Sequence, residues 1–251
     1  QLLKKPEHLS WEESGCYTLT LATSFRMLFG HPPHALKPGM NVLVWGASGG
    51  IGSMAVQICK AVGANAIGII SDDEKIPFVR ELGAVGVLNR KNYNCFGQLP
   101  DVKDQSEYSN FIKSCRVLGK DIWEITGKKD VDIVFEHPGE STFPVSCYLV
   151  KTGGMVVICA GTSGYNLTMD ARYVWMRQKR IQGSHFANLF QAKQANDMMI
   201  NKLIKPLMSE CFKWSEIPLA HTKMMNNKHL PGNMAALVQA KKTGMKSFNE
   251  L

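Results

Sequence analysis

A chain of 251 residues with 45% apolar and 20% charged side chains can bury a sizeable core and has the composition of an ordinary globular protein. No run reaches the ~18 consecutive apolar residues of a membrane span, so no membrane helix is expected. The net charge of +8 raises nucleic acid as a partner, but the basic residues are dispersed and no aromatic-plus-basic motif accompanies them, so a phosphate-rich small molecule explains the charge better.

Residues 11–30 read as a helix, with Ser10 and Glu13 in a capping-box pattern and Gly30 closing the segment. His31-Pro32-Pro33-His34 and Lys37-Pro38-Gly39 punctuate the approach to a strand at 42–45. A regular alternation follows: helix 51–62, strand 66–70, helix 74–81 closed by Gly83, and a short strand at 85–88. Residues 91–130 interrupt it with a polar stretch. Phe111, Cys115, Leu118, Ile122 and Ile125 then recur at helical spacing, which reads as an insertion packed on the domain surface. Strands resume at 131–135 and 155–159, the second preceded by a turn, Lys151-Thr152-Gly153-Gly154. A strand near 180–184 and a helix over 189–203 complete the series. This alternation predicts an α/β fold with a doubly wound parallel (Rossmann) sheet. After Pro206 the rhythm stops: a helix at 216–225, a Pro231-Gly232 turn and a strand at 234–238 look like a returning piece of a second domain.

The most informative stretch joins the first strand to its helix: Ala47, Ser48, Gly49, Gly50, Ile51 and Gly52, an A-x-G-x-x-G pattern. In this context a glycine-rich loop binds a dinucleotide pyrophosphate. Gly49 is expected to make the tight turn, and Gly50 or Gly52 to remove side chains that would block the phosphates or the strand. The helix N-terminus offers N–H groups to the anion.

The end of the second strand reads the adenosine ribose. Ser71 stands where an NAD-binding protein carries an acid, and Lys75 lies one turn on, which favours NADP. Asp72 and Asp73 either serve the ribose or cap the next helix. Arg90 adds charge at the same phosphate or is simply exposed. Glu136-His137-Pro138-Gly139 follows a strand at the ligand-binding edge, as a site element with His137 or as a well-formed turn. Ala160 and Gly161, with Thr162, let the backbone approach the nicotinamide ribose. Seven scattered cysteines form no C-x-x-C pair and no zinc-lobe spacing, and read as reduced thiols in a cytoplasmic protein. His31, His34, His221 and His229 have no constellation and read as structural or surface.

Four strings carry a family resemblance: Phe25 to His34, Val44 to Gly52, Phe135 to Glu140, and Trp175 to Asn188, the last containing Gly183-Ser184-His185-Phe186-Ala187-Asn188. Together they resemble the crotonyl-CoA carboxylase/reductase family of medium-chain dehydrogenases/reductases. The resemblance implies a zinc-free, NADPH-dependent reductase of an α,β-unsaturated acyl-CoA thioester, with CO2 as a second substrate in carboxylating members. It implies that His185 matches a histidine of the CO2 pocket, the bland reading being a satisfied histidine at a strand end. Arg172 matches an arginine at the adenosine phosphate of CoA, or is a solvated helix arginine. It also implies a connecting helix at 1–24, an NADP-binding domain at 25–205 with its insertion at 91–130, and a returning segment at 206–251. The N-terminal GroES-like catalytic half would lie outside this sequence, and a homo-oligomer is expected. A plain enoyl-CoA reductase and a non-catalytic NADP-binding module stay open as alternatives.

Overall fold

A computed structural model describes residues 2–226, 228–238, 240 and 242–247. Six parallel strands form one sheet: β1 (Asn41–Val44), β2 (Asn65–Ile70), β3 (Gly86–Asn89), β4 (Val131–Glu136), β5 (Val150–Ile158) and β6 (Arg180–Gly183), in the order β3-β2-β1-β4-β5-β6. The strands are apolar nearly throughout because both faces are covered. Val42, Val44, Ile133 and Phe135 face one core, and Leu43, Trp45, Ile67 and Val134 face the other.

The first core is closed by α2 (Thr18–Phe29), α3 (Gly50–Val62), α4 (Ile76–Glu81) and α8 (Leu189–Ile200). Residues 11–30 are two helices, α1 (Trp11–Cys16) and α2, rather than one. The break falls at Tyr17, which is buried and donates its hydroxyl to Asn196 Oδ1 of α8 at 2.6 Å. The capping box of Ser10 and Glu13 is present, and Gly30 caps α2. α2 runs unbroken across positions 24 and 25, so the expected boundary there marks no break: Leu21, Phe25 and Leu28 are packed in the same core as α3.

The second core corrects the reading of 91–130 as an insertion. α5 (Gln105–Thr126) is the crossover helix between β3 and β4, and its Phe111, Cys115, Leu118 and Ile122 cover β1 and β2. Beside it lie α6 (Phe143–Leu149) and, more peripherally, α7 (Ala171–Trp175). The expected turn at 151–154 is instead a bulge inside β5: pairing steps from Val131↔Val150 to Ile133↔Met155. Gly153 supplies a φ of +69 there, and a Cβ on Gly154 would lie 2.8 Å from the Asp132 carbonyl.

After Pro206 a second, two-stranded parallel sheet forms from β7 (Met208–Lys213), which the sequence pattern did not single out, and β8 (Asn233–Leu237). α9 (Ile217–Met225) connects them. This segment packs on α1: the Trp11 N–H donates to the Met245 carbonyl at 2.9 Å, and the Gly244 N–H to Glu12 Oε1 at 2.6 Å. Residues 248–251 of the expected returning segment lie outside the described residues. Among the described residues no helix is long and apolar enough to cross a membrane.

Candidate functional site

The chain runs from β1 outward to β3, then crosses to β4 on the other side of β1, so the order of winding reverses between the parallel neighbours β1 and β4. A crevice opens outside the carboxyl ends of neighbouring strands at such a point. Both candidate loops meet there: Trp45 to Gly50 after β1 and His137 to Thr142 after β4. The Trp45 N–H donates to the Phe135 carbonyl at 3.2 Å, tying the two loop entrances together.

Tight turning at this loop belongs to Gly46, not to Gly49. Gly46 has φ +56, whereas Gly49 has φ −83 and is the N-cap of α3. The A-x-G-x-x-G register hid this, because Gly46 precedes the pattern. At Gly52 a Cβ would collide with the Gly46 carbonyl, so the bare Cα there lets the helix start pack against the turn itself. At Gly50 a Cβ would collide with Asn233 Oδ1 and sit 3.1 Å from Thr20 Cγ2. Asn233, on β8, thus reaches over the start of α3, a contact no local motif announced. Ala47 is buried and donates its N–H to the Ile69 carbonyl at 3.0 Å; Ser48 and Ile51 complete the loop and first turn. The first turn of this 13-residue helix leaves N–H groups without intrahelical partners, as every helix does.

Beyond β2 and β3 the charges gather around Asp72. Lys91 Nζ lies 2.5 Å from Asp72 Oδ1 and Lys75 Nζ 3.3 Å from Oδ2, while Ser71 Oγ donates to Oδ2 at 3.0 Å. The Lys91 bond above all, then that of Ser71, holds the exposed Asp72 carboxyl down at about 2. Asp73 accepts from Asn89 Nδ2 at 2.9 Å. Arg90 is exposed, its guanidinium 5.6 Å from the Phe96 ring centroid. Lys91 was missed in the sequence because it lies two residues beyond a strand end, among loop-forming residues.

Across the crevice, His137 Nε2 lies 3.1 Å from the Trp45 carbonyl. Burial lowers the pKa of His137, so the ring is neutral; the carbonyl only accepts, so Nε2 carries the proton and Nδ1 remains an acceptor. The loops after β4 and β5 are pressed together. A Cβ on Gly139 (φ +86) would be 2.8 Å from Gly161 Cα, and the Ser163 N–H donates to the Pro138 carbonyl at 2.7 Å. Ala160 is exposed beside this contact.

His185 follows β6 at the same edge of the sheet; it is exposed and makes no hydrogen bond among the described residues. Its neighbours are Ser184, whose N–H donates to the Ile158 carbonyl at 2.8 Å, and Phe186, at φ +48. Arg172 is not free: its Nη2 lies 2.6 Å from Asp170 Oδ2 and its Nε 2.9 Å from Oδ1. The fork holds Asp170 at about 2. The next residue, Tyr173, lines a cavity of about 500 Å³ near the amino ends of β4 and β5. Five cations line it, Arg116, Lys120, Lys151, Arg177 and Lys179, against one acid, Asp130. Burial lowers Lys179 to about 8, and its Nζ donates to the carbonyls of Cys147 (2.8 Å) and Tyr148 (3.0 Å).

A family model described as "Zinc-binding dehydrogenase" matches residues 50–202. The crotonyl-CoA carboxylase/reductase of Cereibacter sphaeroides is 63% identical over 252 residues, covering 100% of this chain and 58% of the relative. A solved structure titled "Crotonyl-CoA Carboxylase/Reductase" is 60% identical with a TM-score of 0.97, covering 100% of this chain and 58% of its own. Another, crotonyl-CoA carboxylase/reductase AntE in complex with NADP, is 42% identical with a TM-score of 0.93, covering 95% and 59%. The chain therefore spans well under two thirds of the length of these relatives. Among the described residues, no three His, Cys, Asp or Glu side chains are placed together to hold a metal ion.

Proposed function

The chain belongs to the zinc-binding dehydrogenase family, and we propose from that premise that it forms the cofactor-binding portion of an NADPH-dependent enoyl-CoA carboxylase/reductase. One arrangement carries the proposal: a glycine loop and helix N-terminus at the β1/β4 reversal of winding, with Lys75 and Lys91 gathered at Asp72 beyond β2 and β3. NADPH supplies the hydride that reduces the β-carbon of an α,β-unsaturated acyl-CoA such as crotonyl-CoA. Ala47 to Gly52 hold the pyrophosphate. Ser71, Lys75, Arg90 and Lys91 bind the 2′-phosphate, displacing the lysines from Asp72. His137 and the Gly139–Gly161 contact shape the nicotinamide end, with Ala160 and Gly161 at its ribose.

His185 faces the reacting end and holds CO2, so that the substrate enolate is carboxylated before it is protonated. Arg172 binds a phosphate of CoA, and the cation-lined cavity beside Tyr173 is an adjoining polyanion site. The segment after Pro206 belongs, together with α1, to a GroES-like catalytic domain, a reading supported by the packing of β7 and β8 on α1. β6 is a free sheet edge flanked by exposed Trp175, Met176 and Phe190, which suits pairing with a second copy. Seven free thiols suit a reducing, cytoplasmic compartment.

The test is NADPH oxidation by the complete protein with crotonyl-CoA, with and without bicarbonate. Oxidation with a carboxylated product supports the whole proposal. Oxidation yielding only butyryl-CoA makes the protein a plain enoyl-CoA reductase. NADPH binding without oxidation makes it a binding module.

A further inference from the structure

Glu136, the last residue of β4, is fully buried and makes no ion pair among the described residues. Neutral donors surround it instead. Oε1 accepts from the Gly139 N–H at 3.1 Å and from Thr142 Oγ1 at 2.7 Å; Oε2 accepts from Ser146 Oγ at 2.5 Å. Ser146 Oγ in turn accepts from Trp45 Nε1 at 2.8 Å. Trp45 then offers its carbonyl to His137 Nε2. The bonds thus run from Glu136 through Ser146 and Trp45 and return to the neighbouring residue, closing a ring between the ends of β1 and β4.

A buried carboxylate without a cation is costly, and the packing of α6 gives no reason for one. What it provides is two oxygens on one side chain that gather the Gly139 N–H and the Thr142 and Ser146 hydroxyls at a single point. Every hydroxyl and N–H around it is therefore aimed at one centre, and the loop 137–142 has one arrangement relative to Trp45. We propose that Glu136 is a positioning residue: through Gly139 and the Ser146–Trp45 link it holds the 137–142 loop, with His137 seated against Gly46 and the Trp45 carbonyl, and so sets the wall against which the nicotinamide end of the cofactor lies. This rests on the cofactor reading given above. The adenosine end is read at Ser71, Lys75 and Lys91, at the ends of β2 and β3, and β1 stands between those strands and β4. Loss of Glu136 should therefore loosen one end of the cofactor and leave the other held.

Two ligands separate the ends: NADPH, and adenosine 2′,5′-bisphosphate, which lacks the nicotinamide. Glu136→Gln and Ser146→Ala are titrated with each in the complete protein, alongside thermal melts. Both variants should bind the bisphosphate within about twofold of wild type, yet bind NADPH about tenfold more weakly, the scale of one hydrogen bond to a charged group. Nicotinamide emission at saturation should move towards that of free NADPH. Equal losses for both ligands would mean a merely structural role and overturn the proposal, as would unchanged NADPH binding. If Glu136→Gln does not fold, Ser146→Ala decides alone. Wild-type protein that binds neither ligand overturns the cofactor reading first, and the positioning role with it.

Discussion

The imidazole of His137 occupies the space that a side chain at Gly46 would fill: a Cβ there would sit 2.6 Å from Nε2 and 2.9 Å from Cε1. Gly46 also holds φ +56, where a Cβ costs roughly 1–2 kcal/mol on its own. Gly46→Ala should therefore push His137 off the Trp45 carbonyl as well as strain the turn. We expect a loss of about 2 kcal/mol or more in urea unfolding and weakened NADPH binding. Gly49→Ala should be milder: φ is −83 there, and the nearest atom to an added Cβ is the Gly46 carbonyl at 3.3 Å. Equal effects of the two substitutions would show that the turn glycine has been misassigned.

Cofactor preference should follow the cluster around Asp72. Lys91→Ala removes a cation 2.5 Å from Asp72, and Lys75→Ala one at 3.3 Å. Each should weaken NADPH by roughly five- to fifty-fold, on the scale of a charge-assisted bond, and leave NADH nearly unchanged. Ser71→Asp should flatten or reverse the preference by placing a second carboxylate at the position proposed for the 2′-phosphate. Fluorescence titration of both cofactors checks this, and a wild-type preference for NADH contradicts it.

How much of this was legible depended on whether a signal is local. The alternation that sets β1 to β6 is local, and so is the Ser10–Glu13 cap, because apolar periodicity and capping are written within a few residues. The role of α5 was not: its helical stripe was visible, but only strand order makes a crossover helix out of an apparent insertion. The Gly153-Gly154 bulge reads as a turn until the register against β4 is known. At the site, the glycine loop and Ser71 stood out, whereas Asn233 over Gly50 joins residues 183 positions apart. The Asp170 partner of Arg172 lay in plain view two residues away, yet a motif match says nothing about what an arginine is already bound to.

Stability should carry the mark of Glu136. Burial pushes its carboxyl from 4.5 up to about 7, only partly countered by the bonds from Ser146, Gly139 and Thr142. Nearby titratable groups are His137, with its pKa lowered by burial, and the Cys147 and Cys159 thiols, raised to about 12 and about 11. With the folded pKa above the unfolded one, the folded state holds the extra proton between about pH 4.5 and about pH 7. This group's contribution is thus most favourable below that window and declines as pH rises through it, by roughly 3 kcal/mol in all. Urea midpoints of wild type and Glu136→Gln at pH 5, 6, 7 and 8 should diverge by that trend, the variant gaining relative stability as pH rises. Parallel profiles would place the carboxyl's pKa near its ordinary value.

Carboxylation and reduction should separate at His185. His185 is exposed at the carboxyl edge of the sheet and makes no hydrogen bond among the described residues. Hydride transfer depends on where the nicotinamide lies, which in the proposed site is set by Gly46, His137 and the Gly139–Gly161 contact. Capture of the resulting enolate depends on a held CO2 outcompeting a proton. Removing one hydrogen bond to CO2 costs ~1–3 kcal/mol, enough to shift the product ratio by one or two orders of magnitude. His185→Asn should therefore still consume NADPH with crotonyl-CoA in bicarbonate, while its product moves from ethylmalonyl-CoA towards butyryl-CoA. Mass spectrometry of the two thioesters gives the ratio. An unchanged ratio removes His185 from the CO2 site, whereas a parallel fall in NADPH oxidation would place the histidine in hydride transfer instead.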